Sequence, residues 1–263
     1  MQSVNQYRKK RDRVKRVWKT PETDNYILFE DMLKQSHLLI AGATGSGKSV
    51  LENGLITTAL KDSPAAVQFI LIDPKMTELQ EYAALPHTLV YADSERPEKM
   101  IEGLNQSIEI MMQRFSYMKR HQLKDFDGGH IYVIIDELAD LMTTHKKAVT
   151  PLLQRISQLG RAAHVHLIAC TQSPLATVIP TPIKVNFDSR VGLRTATAQD
   201  SRNILDIKGC ELLPNPRETH TAQGYYRQGG TIKLWNIPMY PPEETARRVA
   251  YWKQQKPRIV WNG

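Results

Sequence analysis

The sequence predicts an α/β fold: a mostly parallel central sheet flanked by helices, with a β-hairpin and a further helix toward the C-terminus. From His37 onward, short apolar runs alternate with long amphipathic stretches, which is how strands and crossover helices around a parallel sheet read. The runs are continuous and rich in β-branched and aliphatic residues, as strands covered on both faces require. A glycine-rich segment, residues 42–47, stands between the first apolar run and the first amphipathic stretch.

The elements follow in order. Strands are predicted over residues 38–41, 67–72, 131–135, 166–170 and 187–193. Between the second and third lies a long helix with Met100, Ile101, Leu104, Ile108, Met111, Met112 and Phe115 at 3.6-residue spacing; its methionines read as core filler. A helix is expected near residues 202–205. Gly229-Gly230 then joins the runs 224–227 and 231–235 as a hairpin, and a final helix follows Pro241-Pro242 with Arg247 and Arg248 on it. The absence of a fixed-period repeat favours one domain over residues 21–263, preceded by a basic arm over residues 1–20.

Charge is unevenly spread. The 263 residues hold 35 Lys+Arg and 27 Asp+Glu, a formal charge of +8. Residues 1–20 contain Arg8, Lys9, Lys10, Arg11, Arg13, Lys15, Arg16 and Lys19 against Asp12 alone, so the arm carries +7. The other 243 residues hold 27 Lys+Arg and 26 acids and are nearly neutral. Binding of a polyanion by the body therefore needs local charges, while the arm suits DNA, anionic lipid or an acidic protein. Hydrophobic residues make up 41%, a globular composition. Two cysteines, Cys170 and Cys210, are too few for a disulfide framework and lack zinc-knuckle spacing, which points to a reducing cytoplasm. No stretch approaches the roughly 18–20 apolar residues that span a bilayer.

Two motifs carry chemistry. Gly42-Ala43-Thr44-Gly45-Ser46-Gly47-Lys48-Ser49 fits the phosphate loop G-x-x-x-x-G-K-[ST] and opens an amphipathic helix. Glycines let the backbone wrap a polyphosphate, and N–H groups at a helix N-terminus face its charge. Lys48 is expected to reach the β- and γ-phosphates of ATP, and the Ser49 hydroxyl to ligate Mg²⁺. The run 131–135 ends in Asp136-Glu137, the Walker B form, in which Asp136 orients the Mg²⁺ shell and Glu137 polarises the attacking water. Gln172 follows the next strand; an amide at a strand's carboxyl end suits sensing the γ-phosphate or holding the water. Asp125-Phe126-Asp127-Gly128 fits D-x-x-G, but N-K-x-D and L-S-G-G-Q are both missing, which excludes GTPase and ABC-transporter readings. His164 and His166 read as packing residues, because no third ligand stands at metal spacing.

Further blocks resemble the FtsK/SpoIIIE family of DNA-pumping motors over about residues 36–236. They are Asp73-Pro74-Lys75-Met76, Leu85-Pro86-His87, Met112-Gln113-Arg114-Phe115, Leu138-Ala139-Asp140-Leu141-Met142 after the Walker acids, Gly160-Arg161-Ala162-Ala163, Thr171-Gln172, and the run from Asp200 to Asp206. The resemblance implies a RecA-like P-loop NTPase domain that assembles as a homo-oligomeric, hexameric ring around double-stranded DNA and hydrolyses ATP between subunits. Arg161 matches the position of the arginine finger offered to the neighbouring site. Lys184 and Arg202 match basic positions facing DNA, while Ser173 stands where the family usually has an arginine.

The chain lacks a membrane-spanning segment, a long linker and a winged-helix module after Trp235. This leads to the expectation of a cytoplasmic DNA translocase of a mobile element, such as a plasmid in conjugative transfer. Recruitment by a membrane or relaxosome-type protein through the arm fits that expectation. The competing functions are a protein-export ATPase and a nucleotide-switched DNA-binding module that does not translocate.

Overall fold

The computed structural model describes residues 29–255; the predicted basic arm lies outside them. In chain order the strands are β1 (His37–Ala41), β2 (Val67–Asp73), β3 (Thr88–Asp93), β4 (His130–Ile135), β5 (Val165–Thr171), β6 (Ser189–Leu193), β7 (Gln223–Gln228) and β8 (Thr231–Asn236). The helices are α1 (Phe29–Leu33), α2 (Lys48–Ala59), α3 (Pro97–His121), α4 (Leu138–Leu159), α5 (Thr181–Lys184), α6 (Ala198–Leu205), α7 (Pro216–Thr219) and α8 (Pro242–Lys253).

The strands form one sheet in the order β3-β2-β4-β5-β1-β6-β7-β8. The first six are mutually parallel, and β7 and β8 extend the sheet antiparallel as the predicted hairpin. Because strand side chains alternate faces, each central strand supplies both cores. Ile40, Leu71 and Ile134 pack with Phe29, Leu55 and Trp252 on the side of α1, α2 and α8. Leu39, Ile72 and Ile135 pack with Leu104, Leu141 and Leu153 on the side of α3 and α4.

Two strand assignments differ from the sequence reading. β3 goes unpredicted although residues 88–91 have strand composition; it is an edge strand, half-exposed at Val90 and Tyr91, so it lacks the continuous burial of its neighbours. β6 starts two residues later than expected. The Phe187 N–H still donates to the Lys184 carbonyl (3.1 Å), and pairing with β1 begins only at Ser189, opposite Leu38.

Helix α8 is fastened to α2 by polar contacts in an apolar setting. Arg248, fully buried, donates to Glu244 Oε1 (2.7 Å) and to the Thr57 carbonyl, and its guanidinium lies over Tyr240. Trp252 Nε1 donates to the Leu60 carbonyl (2.8 Å). On the opposite face Arg114, also buried, donates to the carbonyls of Ala163 (2.7 Å) and His164 (3.1 Å) and covers Phe126. Burial alone lowers its pKa, to about 10, so it stays a cation.

His164 and His166 join His130 in a stack at the N-terminal ends of β4 and β5. The His130 and His164 rings are 4.4 Å apart, and His130 Nδ1 meets His166 Nε2 at 2.9 Å. Burial pulls the pKa of His37 and of His87 down to about 4 and that of His166 to about 3. These groups are neutral in the fold, whereas the unfolded chain protonates them near pH 6.5. Stability contributed by their neutral forms is therefore complete above pH 6.5 and declines as pH falls toward 4. Each histidine costs about 1.4 kcal/mol per pH unit across that window. Denaturant midpoints measured from pH 7.5 to 5 should fall steeply, and His166→Gln should flatten the slope by about one histidine's share; a pH-independent midpoint would contradict these burial assignments.

Candidate nucleotide site

The phosphate loop hangs between two strands. Gly42 N donates to the carbonyl of Thr171 (3.2 Å), the last residue of β5, and Ala43 N to the Arg194 carbonyl (2.8 Å) just after β6. Gly45 and Gly47 stand at φ +76° and +99°, the left-handed region that favours glycine. Gly47 faces a second constraint, because a Cβ there would lie 2.5 Å from the Ala222 Cβ.

Lys48 begins α2 and is buried, with its ammonium held by the carboxylate and carbonyl of Asp136 at the end of β4. Burial disfavours that ammonium, yet nearby anionic groups outweigh it and raise the pKa. Cys170 and Glu52 have their own pKa values pushed up by burial, so Asp136 is the anion that holds Lys48 charged. Glu52 is fully buried beside Asp136; burial and that neighbouring carboxylate push its pKa up. Ser49 Oγ donates to Glu78 Oε1 (2.7 Å).

The Glu137 carboxylate caps α4 by accepting the Ala139 N–H (3.3 Å). It also accepts from Thr171 Oγ1 (2.9 Å), from Gln172 N (3.1 Å) and from Lys75 Nζ (3.1 Å). The Gln172 side chain reaches the loop, where Thr44 Oγ1 donates to its Oε1 (2.9 Å).

Lys75, Glu78 and Thr171 were not singled out as site residues from the sequence. The signal for the first two is Asp73, whose buried carboxylate accepts the N–H groups of Glu78 (3.1 Å) and Leu79 (3.0 Å). It thereby turns the chain so that Lys75 and Glu78 face the loop. Lys48, Ser49, Lys75, Glu78, Asp136 and Gln172 line one cavity of about 1330 Å³, closed on its far side by residues from Pro216 to Arg247.

The remaining candidates lie elsewhere. Arg161 is exposed, two residues past the end of α4. That helix starts beside Glu137 and runs 22 residues with a break at His145, so Arg161 lies past its far end, just before β5 starts and at the opposite edge of the sheet from its own chain's site. Arg202 is exposed on α6. Lys184 ends α5, and its ammonium pairs with Asp206 Oδ1 (2.8 Å). Arg190 (2.9 Å) and Arg227 share that carboxylate. Partial burial would raise the Asp206 pKa, but the three cations hold it low. Residues 125–128 sit at the N-terminal end of β4, where Asp125 meets His164 (3.4 Å), remote from the phosphate loop.

The model describing the FtsK/SpoIIIE family matches residues 1–131 and 129–176. The chain belongs to the FtsK/SpoIIIE family. The DNA translocase FtsK of Caldanaerobacter subterraneus subsp. tengcongensis is 41% identical over 198 residues, covering 71% of this chain and 28% of that protein. The DNA translocase SpoIIIE of Bacillus subtilis is 38% identical over 206 residues, covering 71% of this chain and 26% of that protein. The chain thus spans less than a third of these curated FtsK/SpoIIIE relatives. Among solved structures, the cytoplasmic domain of the type VII secretion ATPase EccC from Thermomonospora curvata superposes with a TM-score of 0.72 at 21% identity, over 86% of this chain and 29% of that one. The pCW3 conjugation coupling protein TcpA does so at 0.68 and 25% identity, over 83% and 66%. Both likenesses agree with the predicted α/β P-loop ATPase fold.

The packing of Gly47 gives a stability test specific to this site. Gly47→Ala should destabilise the chain by more than the roughly 1–2 kcal/mol of left-handed backbone strain, because Ala222 blocks the added methyl. Combining it with Ala222→Gly should recover the steric part, so a strictly additive double-mutant cycle would refute the contact.

Proposed function

We propose that this chain is the motor domain of an ATP-driven double-stranded DNA translocase that works as a homo-oligomeric, hexameric ring. The observation that carries the hydrolytic reading is the meeting of Lys48, Asp136, Glu137 and Gln172 at the C-terminal ends of β1, β4 and β5, the edge where open α/β sheets bind ligands. DNA as substrate is supported by family membership and by relatives named DNA translocases. The likeness to a plasmid conjugation coupling protein supports service to a mobile element, whereas the export alternative has only a likeness of fold.

In this reading the backbone of residues 42–49 cradles the phosphates, and Lys48 exchanges Asp136 for the β- and γ-phosphates of ATP. Ser49, Asp136 and Glu78 form a set of hard oxygen donors. That set suits Mg²⁺, which needs only one or two protein oxygens besides the phosphates. Bound with nucleotide, Mg²⁺ neutralises phosphate charge. Glu137 accepts a hydrogen bond from the attacking water, and Gln172 positions that water beside the γ-phosphate. Arg161 stands too far away to act within its own chain, which supports a finger offered to a neighbour's site. Arg202 is the exposed DNA contact; Lys184 would have to leave Asp206 to join it.

We place the motor in the cytoplasm, with the basic arm free to recruit a membrane or relaxosome-type partner. Among the described residues no helix is long and apolar enough to cross a membrane.

ATP turnover should rise with duplex DNA, and the stimulation should fall steeply across a salt series. Lys48→Ala should abolish turnover, while Glu137→Gln should keep nucleotide binding and lose about 10²–10⁴-fold in rate. Mixing Lys48→Ala with Arg161→Ala subunits should restore part of the activity. No rescue in confirmed mixed oligomers would argue for a self-contained site, and turnover indifferent to saturating duplex would sink the motor. DNA-stimulated turnover that fails to displace a triplex would favour the nucleotide-switched module.

A further inference from the structure

The segment from Asn215 to Ala222, which contains α7, lines the cavity together with Lys48. Its own polar groups fix its shape. Asn215 Oδ1 accepts the Arg217 N–H (3.2 Å), Thr219 Oγ1 donates to the carbonyls of Asn215 (3.2 Å) and Thr221 (3.1 Å), and Ile237 N donates to the Ala222 carbonyl (2.8 Å). Its end is seated on the phosphate loop, where Ala222 excludes any side chain at Gly47. From this fixed segment the Arg217 side chain extends to Gly45. Its Nε lies 3.0 Å, and its Nη2 3.3 Å, from the point a Cβ on Gly45 would occupy.

Charge then separates Arg217 from its neighbours. Lys48, Lys75, Arg217 and Arg247 all line the cavity. Lys48 pairs with Asp136, Lys75 with Glu137 and Arg247 with Glu244. Arg217 has no acid partner among the described residues. An uncompensated guanidinium at the mouth of a loop that turns its N–H groups toward phosphate is matched by an anionic ligand, and its planar donors fit phosphate oxygens in pairs.

We propose that Arg217 is a phosphate-binding residue acting in cis, donating to non-bridging oxygens of the nucleotide held by the phosphate loop of its own chain. This rests on the reading of that loop as an ATP site. It also divides the cations by origin, with Arg217 supplied by the chain that holds the loop and Arg161 by a neighbour.

The test is equilibrium titration of the full chain with a fluorescent ATPγS analogue, for the wild type and for Arg217→Ala, Arg217→Lys and Lys48→Ala. Loss of a charge-assisted hydrogen-bond pair should weaken binding by Arg217→Ala about ten- to a hundredfold. Arg217→Lys should fall in between, and melting of the nucleotide-free protein should not change because the side chain is exposed. Wild-type affinity in Arg217→Ala, alongside a wild type that binds and a Lys48→Ala variant that does not, overturns the assignment and leaves the ATP reading intact. A wild type that fails to bind, or binds no better than Lys48→Ala, overturns the ATP reading and the assignment with it.

Discussion

A buried ammonium needs an anion, and the Lys48–Asp136 pair is the interaction around which the site is organised. Asp136 follows β4, whereas Lys48 opens α2, which β1 leads into through the phosphate loop. β5 lies between β1 and β4, so the long Lys48 side chain links two strand ends that stand two spacings, about 10 Å, apart on the carboxyl edge of the sheet. That geometry explains why the end of β5 carries so much polar chemistry. Thr171 and Gln172 fill the gap and tie Glu137 on one side to Thr44 on the other. Burial pushes the Glu52 carboxyl and the Cys170 thiol up beside the pair, which favours their neutral forms there.

The surrounding fold holds these groups with contacts that are polar and buried. Arg248 and Trp252 anchor α8 to backbone carbonyls of α2, the helix that starts at Lys48, so the hairpin and the last helix brace the loop. Arg114 performs the equivalent task at the other end of the sheet by binding the carbonyls just after Arg161. Breaking a buried charged contact of this kind costs a few kcal/mol because the remaining polar groups are left unpaired. Both arginines are therefore expected to tolerate substitution poorly although neither lines the cavity.

Much of this was legible in the sequence, for definite reasons. The phosphate loop and the Asp136-Glu137 strand end have fixed spacing because each performs its task locally, and the central strands announce themselves by unbroken apolar runs. The edge strand β3 carries a weaker version of the same signal, since half-exposure removes the continuity. Lys75, Glu78 and Arg217 were harder to see because their roles depend on distant turns: the first two on the carboxylate of Asp73, the third on a segment some 170 residues downstream that folds back over Gly45. Lys184 shows the converse. Its basic character is plain in the sequence, but Asp206, which occupies it, becomes a neighbour only in the fold.

Helix α4 deserves a mechanical reading. It begins on the acid that the proposed mechanism sets against the attacking water and ends at the turn bearing Arg161, so under that mechanism one element touches two reaction centres in adjacent subunits. It is also not a uniform rod. His145 has non-helical dihedrals (φ −128°, ψ 25°) and Pro151 interrupts the hydrogen-bond ladder. The break divides the helix into a segment seated on Glu137 and a longer one that leads to the turn held by Arg114. Under the proposed mechanism the two reaction centres would then stand on separately hinged halves of one helix and not on one rigid bar.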